Sequence, residues 1–222
     1  VSSQGIILND KTAEQIWDAI QFPLKAKSRS KWLAYYMGIR AAVYDRWLTQ
    51  QLEADPEAVV IHIGCGMDSR ITRVGNRDHQ WFDVDFPEVI AERKRYFEET
   101  ETYHMIPSDI RDMTWLSRIP RGSDAVIVME GISMYLPGTE LKAVLQQWKE
   151  YFGETRILMD SYTVFGAKAS KYKNPINQVG VTQVYGFDDP RELAEGTQLL
   201  FVREWDLTPQ WLIEKLPRSE QG

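Results

Sequence analysis

The chain has 222 residues, 43% of them hydrophobic and 26% charged, which is typical of one sizeable globular domain. Its formal net charge of -6 argues against a nucleic-acid surface, and no apolar run is long enough to cross a bilayer. One cysteine excludes an internal disulfide and fits a reducing cytoplasm, and three scattered histidines offer no metal-ligand spacing, so we expect no metal.

The first fifty residues are predicted to be helical. Thr12 is suited to cap a helix over residues 13–20, and apolar residues at helical spacing predict a second helix over residues 32–48. Between them, residues 24–31 read LKAKSRSK, a basic stretch whose simplest interpretation is a solvated loop.

The most informative segment covers residues 59–85. Residues 59–63 form a β-branched run that suits a buried parallel strand. Gly64 and Gly66 follow it, and both permit a sharp turn and a close approach to a ligand because they carry no Cβ. Residues 81–84 predict the next strand, which carries Asp83 and Asp85 to its carboxyl end. This is the arrangement of a nucleotide-binding βαβ unit, in which a carboxylate binds the ribose hydroxyls.

The turn after the first strand differs from a dinucleotide-binding fingerprint. Ser69 replaces the third glycine, and Asp68 and Arg70 crowd the turn. An acidic side chain where a pyrophosphate would lie favours a cofactor with an adenosine end and no phosphate. We expect Arg70 to hold this loop by pairing with an acidic strand end.

Further strands and helices alternate along the rest of the chain. The pattern predicts helices over residues 87–100 and 139–152, and strands over residues 103–106, 124–129, 156–160 and 199–207. Residues 161–189 are predicted to be an irregular substrate-side segment. Parallel strands joined by helices predict an α/β, Rossmann-like, doubly wound and mostly parallel sheet.

Four predicted strands end in polar residues, and open α/β sheets bind ligands at that edge. The strand ends carry residues 64–68, the pair Asp83 and Asp85, Asp109, and Glu130. Each has a structural alternative. Asp85 could cap the helix at Pro87, Asp109 could cap the turn towards Trp115, and Asp83 could be a solvated charge. A structural role is hardest to find for Glu130, because it ends a strongly apolar strand and a buried carboxylate needs a partner.

Four motifs occur in an order and spacing that resemble the leucine carboxyl methyltransferase family, which includes polyketide and small-molecule O-methyltransferases. They read GCGMDSR, WFDVDFPEVI, SDIRD and MEGISMYL. The resemblance covers roughly residues 40–160, and Cys65 and Ser69 depart from the usual alanine and threonine. It implies a class I methyltransferase fold, S-adenosyl-L-methionine as cofactor and S-adenosyl-L-homocysteine as product. It also implies one methyltransferase domain over residues 1–222, with a helical lid (1–50), a cofactor-binding core (58–160) and a substrate-side segment with the last strand (161–222).

The resemblance also assigns roles to single residues. It places Gly64 and Gly66 near the methionine portion of the cofactor, Asp85 on the ribose and Glu130 beneath the methionine end. It places Asp109 on the adenine amino group, with Ile110 against the ring. Arg40 matches an arginine that pairs with the cofactor carboxylate. Tyr135, five residues after Glu130, is expected to face the cleft, and Tyr135 and Arg40 are the predicted catalytic residues.

The implied activity is an S-adenosylmethionine-dependent O-methyltransferase acting on a small-molecule carboxylate or hydroxyl by in-line transfer. A carboxylate, with a pKa of about 4, needs no base at pH 7, whereas a phenol near about 10 does. No histidine falls convincingly in the cleft, which favours a carboxylate or another easily ionised oxygen. The alternatives are a nicotinamide-dependent oxidoreductase and a non-catalytic cofactor-binding protein of the same fold. No nucleic-acid or membrane partner is expected, and the sequence leaves the oligomeric state open.

Overall fold

The computed structural model describes residues 5–20, 31–170 and 183–221. The α-helices in these ranges are α1 (Lys11–Ala19), α2 (Lys31–Ala54), α3 (Arg70–Val74), α4 (Pro87–Arg93), α5 (Gly138–Tyr151), α6 (Val164–Ala169) and α7 (Gln210–Ile213). The strands are β1 (Val59–Ile63), β2 (Trp81–Asp85), β3 (Tyr103–Pro107), β4 (Ala125–Met129) and β5 (Thr155–Met159). Short 3-10 helices cover Met113–Arg118, Ser133–Tyr135, Pro190–Leu193 and Arg218–Glu220.

The chain divides into two compact units. Unit 1 comprises Val1–Asp55, Met67–Arg77 and Arg203–Gly222, and unit 2 comprises Pro56–Gly66 and Asp78–Val202. Unit 2 therefore carries the whole sheet, and unit 1 carries α1, α2, α3 and α7.

The five strands of unit 2 form a parallel sheet in the order β3-β2-β1-β4-β5. The predicted α/β, Rossmann-like parallel sheet is confirmed. The strand order reverses between β1 and β4, which is the switch point where such sheets bind ligands. β1 and β4 are buried along their whole length, and this explains their continuous runs of valine and isoleucine.

One face of the sheet packs against α5 and the helix Met113–Arg118. The apolar residues of α5 recur every three or four positions, so they form a single stripe along the helix. The stripe and the strand residues beneath it are Leu141, Val144, Leu145, Trp148, Val59, Ile61, Ile63, Ala125, Ile127 and Met129. Trp115 meets Trp148 edge-to-face, with 6.3 Å between the ring centroids.

Unit 1 has its own apolar core, formed by one face of α2 and the C-terminal segment. Its buried members are Tyr35, Ile39, Val43, Leu212 and Leu216. The first three are four residues apart and lie on one face of α2. The predicted helix is present, but it continues beyond residue 48 to Ala54. No helix among the described residues meets the length and hydropathy required of a membrane span.

Several predicted boundaries differ in the structure. Asp10, not Thr12, caps α1, because its side chain accepts a hydrogen bond from the Ala13 amide. The helix that was expected to reach residue 100 ends at Arg93. Residues 199–207 form no strand; they pair with no neighbour, and Leu200 is 88% exposed. High β-propensity does not make a strand without a partner.

Candidate functional site at the carboxyl edge of the sheet

The four polar strand ends meet at one edge of unit 2, as the sequence predicted. Ile63 pairs in register with Val84 on one side and with Met129 on the other, and Asp85 pairs with Pro107. Gly64, Asp85, Ser108 and Glu130 therefore leave four adjacent strands at the same level.

The two glycines of the first turn have different local environments. Both have positive φ, at 62° for Gly64 and 50° for Gly66, which a residue with a side chain rarely adopts. A Cβ on Gly64 would meet the Ile132 side chain at 2.2 Å, so Gly64 is needed for packing. A Cβ on Gly66 would meet nothing within 4 Å. Gly66 is therefore the glycine that leaves space for a ligand.

Asp85 holds the turn from the neighbouring strand. Its Oδ2 accepts a hydrogen bond from the Gly66 amide at 2.7 Å, and its Oδ1 accepts one from the Phe86 amide at 2.8 Å. The cap residue of α4 is Phe86, with no side-chain cap, so the capping alternative for Asp85 is not found. Each carboxylate oxygen can accept a further hydrogen bond, which leaves Asp85 able to bind ribose hydroxyls.

Asp83 is not a solvated charge or a second ligand residue, because its side chain is 0% exposed. It is the centre of a cluster that we call the sheet network, defined by His62, Trp81, Asp83, Arg93 and Tyr103. Trp81 Nε1 donates to Asp83 Oδ1 at 2.8 Å, and the Tyr103 hydroxyl donates to Oδ2 at 2.6 Å. Arg93 Nε donates to Oδ2 at 2.8 Å, and His62 Nδ1 lies 3.4 Å from Oδ1.

The sheet network keeps its carboxylate ionised. Burial alone would raise the pKa of Asp83, but the contact with His62 and the charge of Arg93 outweigh it and hold that pKa below its ordinary value. Arg93 was not predicted as part of this cluster, because an arginine ten residues after an aspartate on an amphipathic helix has no distinctive pattern.

Asp109 lies just beyond β3 and is engaged by Arg111. Arg111 donates to it through Nε at 3.0 Å and through Nη2 at 2.5 Å. These bonds hold the pKa of Asp109 below its ordinary value, although partial burial acts in the opposite direction. Asp109 Oδ1 also accepts a hydrogen bond from the Arg111 amide at 2.9 Å, so Asp109 does cap the turn towards Trp115, while Asp112 caps the following helix. Ile110 is buried at 9% exposure.

The end of β4 is braced by β5. The Gly131 amide donates to Asp160 Oδ1 at 2.7 Å, and the Ser133 hydroxyl donates to the Asp160 carbonyl. Gly131 has a φ of 73°, so the chain turns sharply after Glu130, which is half-buried. Asp160 was not predicted as part of the site. Its position directly after β5, the strand beside β4, could have indicated it.

Tyr135 ends the short helix that follows this turn. It is half-buried and packs against a small cluster formed by Met134, Ala167 and Val184. This cluster joins the segment after β4 to α6, and Tyr135 forms part of its border.

Two predicted arginines lie in unit 1. Arg40 is half-buried on α2. Arg70 pairs with Asp68, at the end of the polar segment 64–68 that follows β1, with 3.2 Å between Nη2 and the carboxylate. Its Nε also donates to Asp45 of α2 at 2.9 Å. With a side chain that is 0% exposed, Arg70 cannot attract an anion from solvent. Of the basic stretch 24–31, only Lys31 lies within the described residues.

Arg70 belongs to a second charged cluster, which we call the loop clasp and define by Asp10, Asp45, Asp68, Ser69, Arg70 and Arg73. Arg73 donates through Nε to Asp45 at 2.6 Å and through Nη1 to Asp10 at 2.8 Å and Asp68 at 2.7 Å. The clasp ties the residues that follow Gly66 in the chain to α1 and α2.

The residues of the carboxyl edge fit S-adenosylmethionine. The open space beside Gly66 admits a ligand against the backbone, and Asp85 retains acceptor capacity for two hydroxyls. A surface groove of about 450 Å³ lies elsewhere, between the helix Met113–Arg118 and α5, and contains no predicted site residue. No group of three or more potential metal ligands occurs in the described part of the chain.

Comparison with known proteins gives consistent results. The family model described as leucine carboxyl methyltransferase matches residues 2–149. The tetracenomycin polyketide synthesis O-methyltransferase TcmP of Streptomyces glaucescens is 29% identical over 203 residues, which are 90% of this chain and 75% of that protein. An S-adenosyl-L-methionine-dependent methyltransferase, dpfgK, of Gibberella zeae is 28% identical over 224 residues, covering 91% and 75%.

Among solved structures, the bifunctional kinase-methyltransferase WbdD is similar in fold, with a TM-score of 0.50 and 17% identity. The match covers 76% of this chain and 36% of WbdD. At this identity the likeness concerns the fold alone.

Proposed function

The chain belongs to the leucine carboxyl methyltransferase family and is an S-adenosylmethionine-dependent O-methyltransferase, and we propose that it methylates a small molecule through an ionised carboxylate. The observation that carries the cofactor site is the convergence of four polar strand ends at the switch point of the sheet. The polyketide O-methyltransferase among the relatives supports a small-molecule acceptor.

Asp85 and Gly66 are the proposed centre of cofactor binding. Asp85 would bind the ribose hydroxyls with the acceptor capacity that Gly66 and Phe86 leave to it. Gly66 would present its backbone to the methionine portion, and Gly64 keeps the turn compact by admitting Ile132. A side chain at position 64 would collide with Ile132, and both positions have a positive φ that residues with a side chain rarely adopt.

Asp109, Ile110 and Glu130 complete the proposed cofactor contacts. Ile110 offers an apolar surface for the adenine ring, and the ionised Asp109 is an acceptor for its amino group. Arg111 already engages Asp109, so it would fix the direction of that carboxylate. Glu130 follows the buried β4 and would lie beneath the methionine end.

The role of Arg40 rests on the family resemblance, and that of Tyr135 rests on its position five residues after Glu130. We propose that Arg40 binds the cofactor carboxylate, since a guanidinium makes planar, bidentate contacts that lysine cannot reproduce. Arg40→Lys should then weaken cofactor binding, whereas Arg46→Lys on the exposed side of the same helix should not. Tyr135 is proposed to touch the acceptor beside the transferred methyl group.

The reaction requires alignment more than acid–base chemistry. The cofactor supplies a methyl group on a sulfonium centre, which is already activated for displacement. The protein's part is to hold the acceptor oxygen in line and to exclude water. All three histidines are engaged away from the strand ends: His62 faces Asp83 within the sheet, His79 contacts the Ala58 carbonyl, and His104 contacts Gln80. This supports an acceptor that is ionised without a histidine base.

The cofactor site is tested by calorimetry with S-adenosylhomocysteine and with NAD. We expect the first to bind and the second not to bind. Asp85→Ala should weaken binding by about 1.5–3 kcal/mol, the range for losing hydrogen bonds to a charged group. Asp112→Ala is the matched control, because Asp112 caps the helix Met113–Arg118 and is not a proposed ligand. Unchanged affinity in folded Asp85→Ala would refute the ribose assignment.

The acceptor class is tested by the pH dependence of the methylation rate at saturating cofactor. A carboxylate with a pKa of about 4 is ionised throughout, so the rate should stay nearly flat from about pH 6 to 8. A hydroxyl acceptor would give a rate that climbs with pH. A methylation rate that rises steadily over this pH range, when methyl transfer is the rate-limiting step, would therefore reject the carboxylate proposal and leave the methyltransferase assignment in place.

A further inference from the structure

We propose that Arg93 is a positioning residue for cofactor binding, because it is anchored by Asp83 and holds the backbone carbonyl of Gly66 in the turn after β1. The proposal rests on the proposed cofactor site, in which that turn lies against the methionine portion. Arg93 itself is expected to touch no ligand.

Arg93 joins two groups with the two ends of one guanidinium. Its Nη1 donates to the Gly66 carbonyl at 2.9 Å, while Nε donates to Asp83 at 2.8 Å and Nη2 lies 2.6 Å from the same carboxylate. The Phe97 ring covers the group, with its centroid 4.0 Å from the guanidinium carbon. Because the guanidinium is planar and rigid, fixing its Asp83 end also fixes the end that faces the turn.

Asp83 is itself immobilised. It receives hydrogen bonds from Trp81 and Tyr103 as well as from Arg93, and neither Asp83 nor Arg93 has any exposed side-chain surface. The sheet register places His62 opposite Asp83 and Tyr103 beside Trp81, so three adjacent strands hold this carboxylate. The anchor of Arg93 is therefore the sheet and not a mobile loop.

Gly66 shows what this anchoring achieves. Its amide donates to Asp85 and its carbonyl accepts from Arg93, so side chains of β2 and α4 hold both polar groups of one residue. Gly66 has no side chain and a φ of 50°, a region in which glycine has no strong preference of its own. A turn built from such a residue needs external contacts to stay in one conformation, and preorganisation of this kind strengthens binding by reducing the cost of ordering.

The test is calorimetry with S-adenosylhomocysteine on Arg93→Lys and on Tyr103→Phe. Lysine keeps the positive charge beside Asp83 but loses the hydrogen bond to the Gly66 carbonyl. The dissociation constant for S-adenosylhomocysteine should therefore rise about tenfold, as expected for one hydrogen bond from a charged donor. The rate at saturating cofactor should change much less, because the reacting atoms are untouched. Tyr103→Phe removes the hydrogen bond from the Tyr103 hydroxyl to Asp83 and the one it accepts from Arg93 Nε at 3.2 Å, but it leaves the bond from Arg93 Nη1 to the Gly66 carbonyl in place. It should lower the unfolding midpoint and leave the dissociation constant within about twofold.

The outcomes separate this proposal from the cofactor site itself. If the unchanged protein fails to bind S-adenosylhomocysteine, the proposed function fails first. If it binds and folded Arg93→Lys binds equally well, or if Tyr103→Phe loses as much affinity, Arg93 has only a structural role. Should Arg93→Lys not fold, the double variant Asp83→Asn/Arg93→Met removes the contact with Gly66 without leaving a buried charge unpaired, and the same loss of affinity is expected.

Discussion

The sheet network and the loop clasp are both built from aspartate and arginine, yet they distribute charge in different ways. In the sheet network, one carboxylate and one guanidinium, both 0% exposed, are surrounded by side chains of tryptophan, tyrosine and histidine. In the loop clasp, three carboxylates share two arginines, and the aspartates retain 4–27% of their side-chain exposure.

This difference determines how each cluster responds to a lost partner. In the described part of the chain Arg93 is the arginine that contacts Asp83, so removing it takes away the permanent positive charge beside a fully buried carboxylate. Arg73 contacts three carboxylates, so removing one of them leaves two. We therefore expect the removal of one charged partner to lower the free energy of unfolding more in the sheet network than in the loop clasp.

The largest effect on stability is expected for Arg93→Met. Breaking a buried ion pair by removing one partner typically costs about 3–5 kcal/mol, because the remaining charge cannot be solvated. Urea unfolding at pH 7 should show this loss, or the variant should fail to fold. The double variant Asp83→Asn/Arg93→Met should lose less than Arg93→Met alone. A double variant that is at least as unstable as the single one would contradict this account of the network.

A smaller loss is expected for Asp45→Asn in the loop clasp. Asparagine keeps one acceptor oxygen for Arg70 and Arg73, and Asp68 still contacts both arginines. We expect a decrease of about 1.5–3 kcal/mol in the free energy of unfolding, the range for a hydrogen bond to a charged group. The same urea titration measures it. A loss equal to that of Arg93→Met would mean that the clasp is no more tolerant than the network.

Much of unit 2 could be predicted from the sequence, and the two clusters show where prediction stops. The β-branched runs, the glycines and the strand-end carboxylates have short-range patterns, so β1 to β5 and the convergence of Gly66, Asp85, Asp109 and Glu130 followed from them. Asp83 looked like a strand-end charge, because nothing near it in the sequence identifies Arg93 as its partner.

The loop clasp illustrates the same limit over a longer distance. Arg70 was predicted to hold its loop by pairing with an acidic strand end, and it pairs with Asp68 after β1, but its contact with Asp45 of α2 was not predicted. Asp10 contacts Arg73 across 63 positions of the chain. Contacts between residues so far apart in the chain depend on the folded structure, and a single sequence does not indicate which of them will meet. The predicted strand at residues 199–207 failed for a related reason, because strand formation depends on a pairing partner that propensity does not supply.

The smallest effect is expected when the pH is lowered, and it tests whether the sheet network holds a true ion pair. The pKa of Asp83 is lower in the folded protein than its ordinary value of 3.8, so the folded state binds this proton less readily than the unfolded state. The contribution of Asp83 to stability is therefore fully present well above pH 4 and is lost as the pH falls through the folded pKa.

Other carboxylates with lowered pKa, such as Asp109, act in the same direction, so the wild type alone cannot isolate Asp83. The informative quantity is the unfolding free energy of the wild type minus that of Asp83→Asn/Arg93→Met, in which those contributions cancel. Whatever its value at pH 7, this difference should shrink between about pH 5 and pH 3 in urea titrations. A difference that stays constant over that range would show that Asp83 gains no net stabilisation as an anion from Arg93, and the comparison between the two clusters would then rest on hydrogen bonding alone.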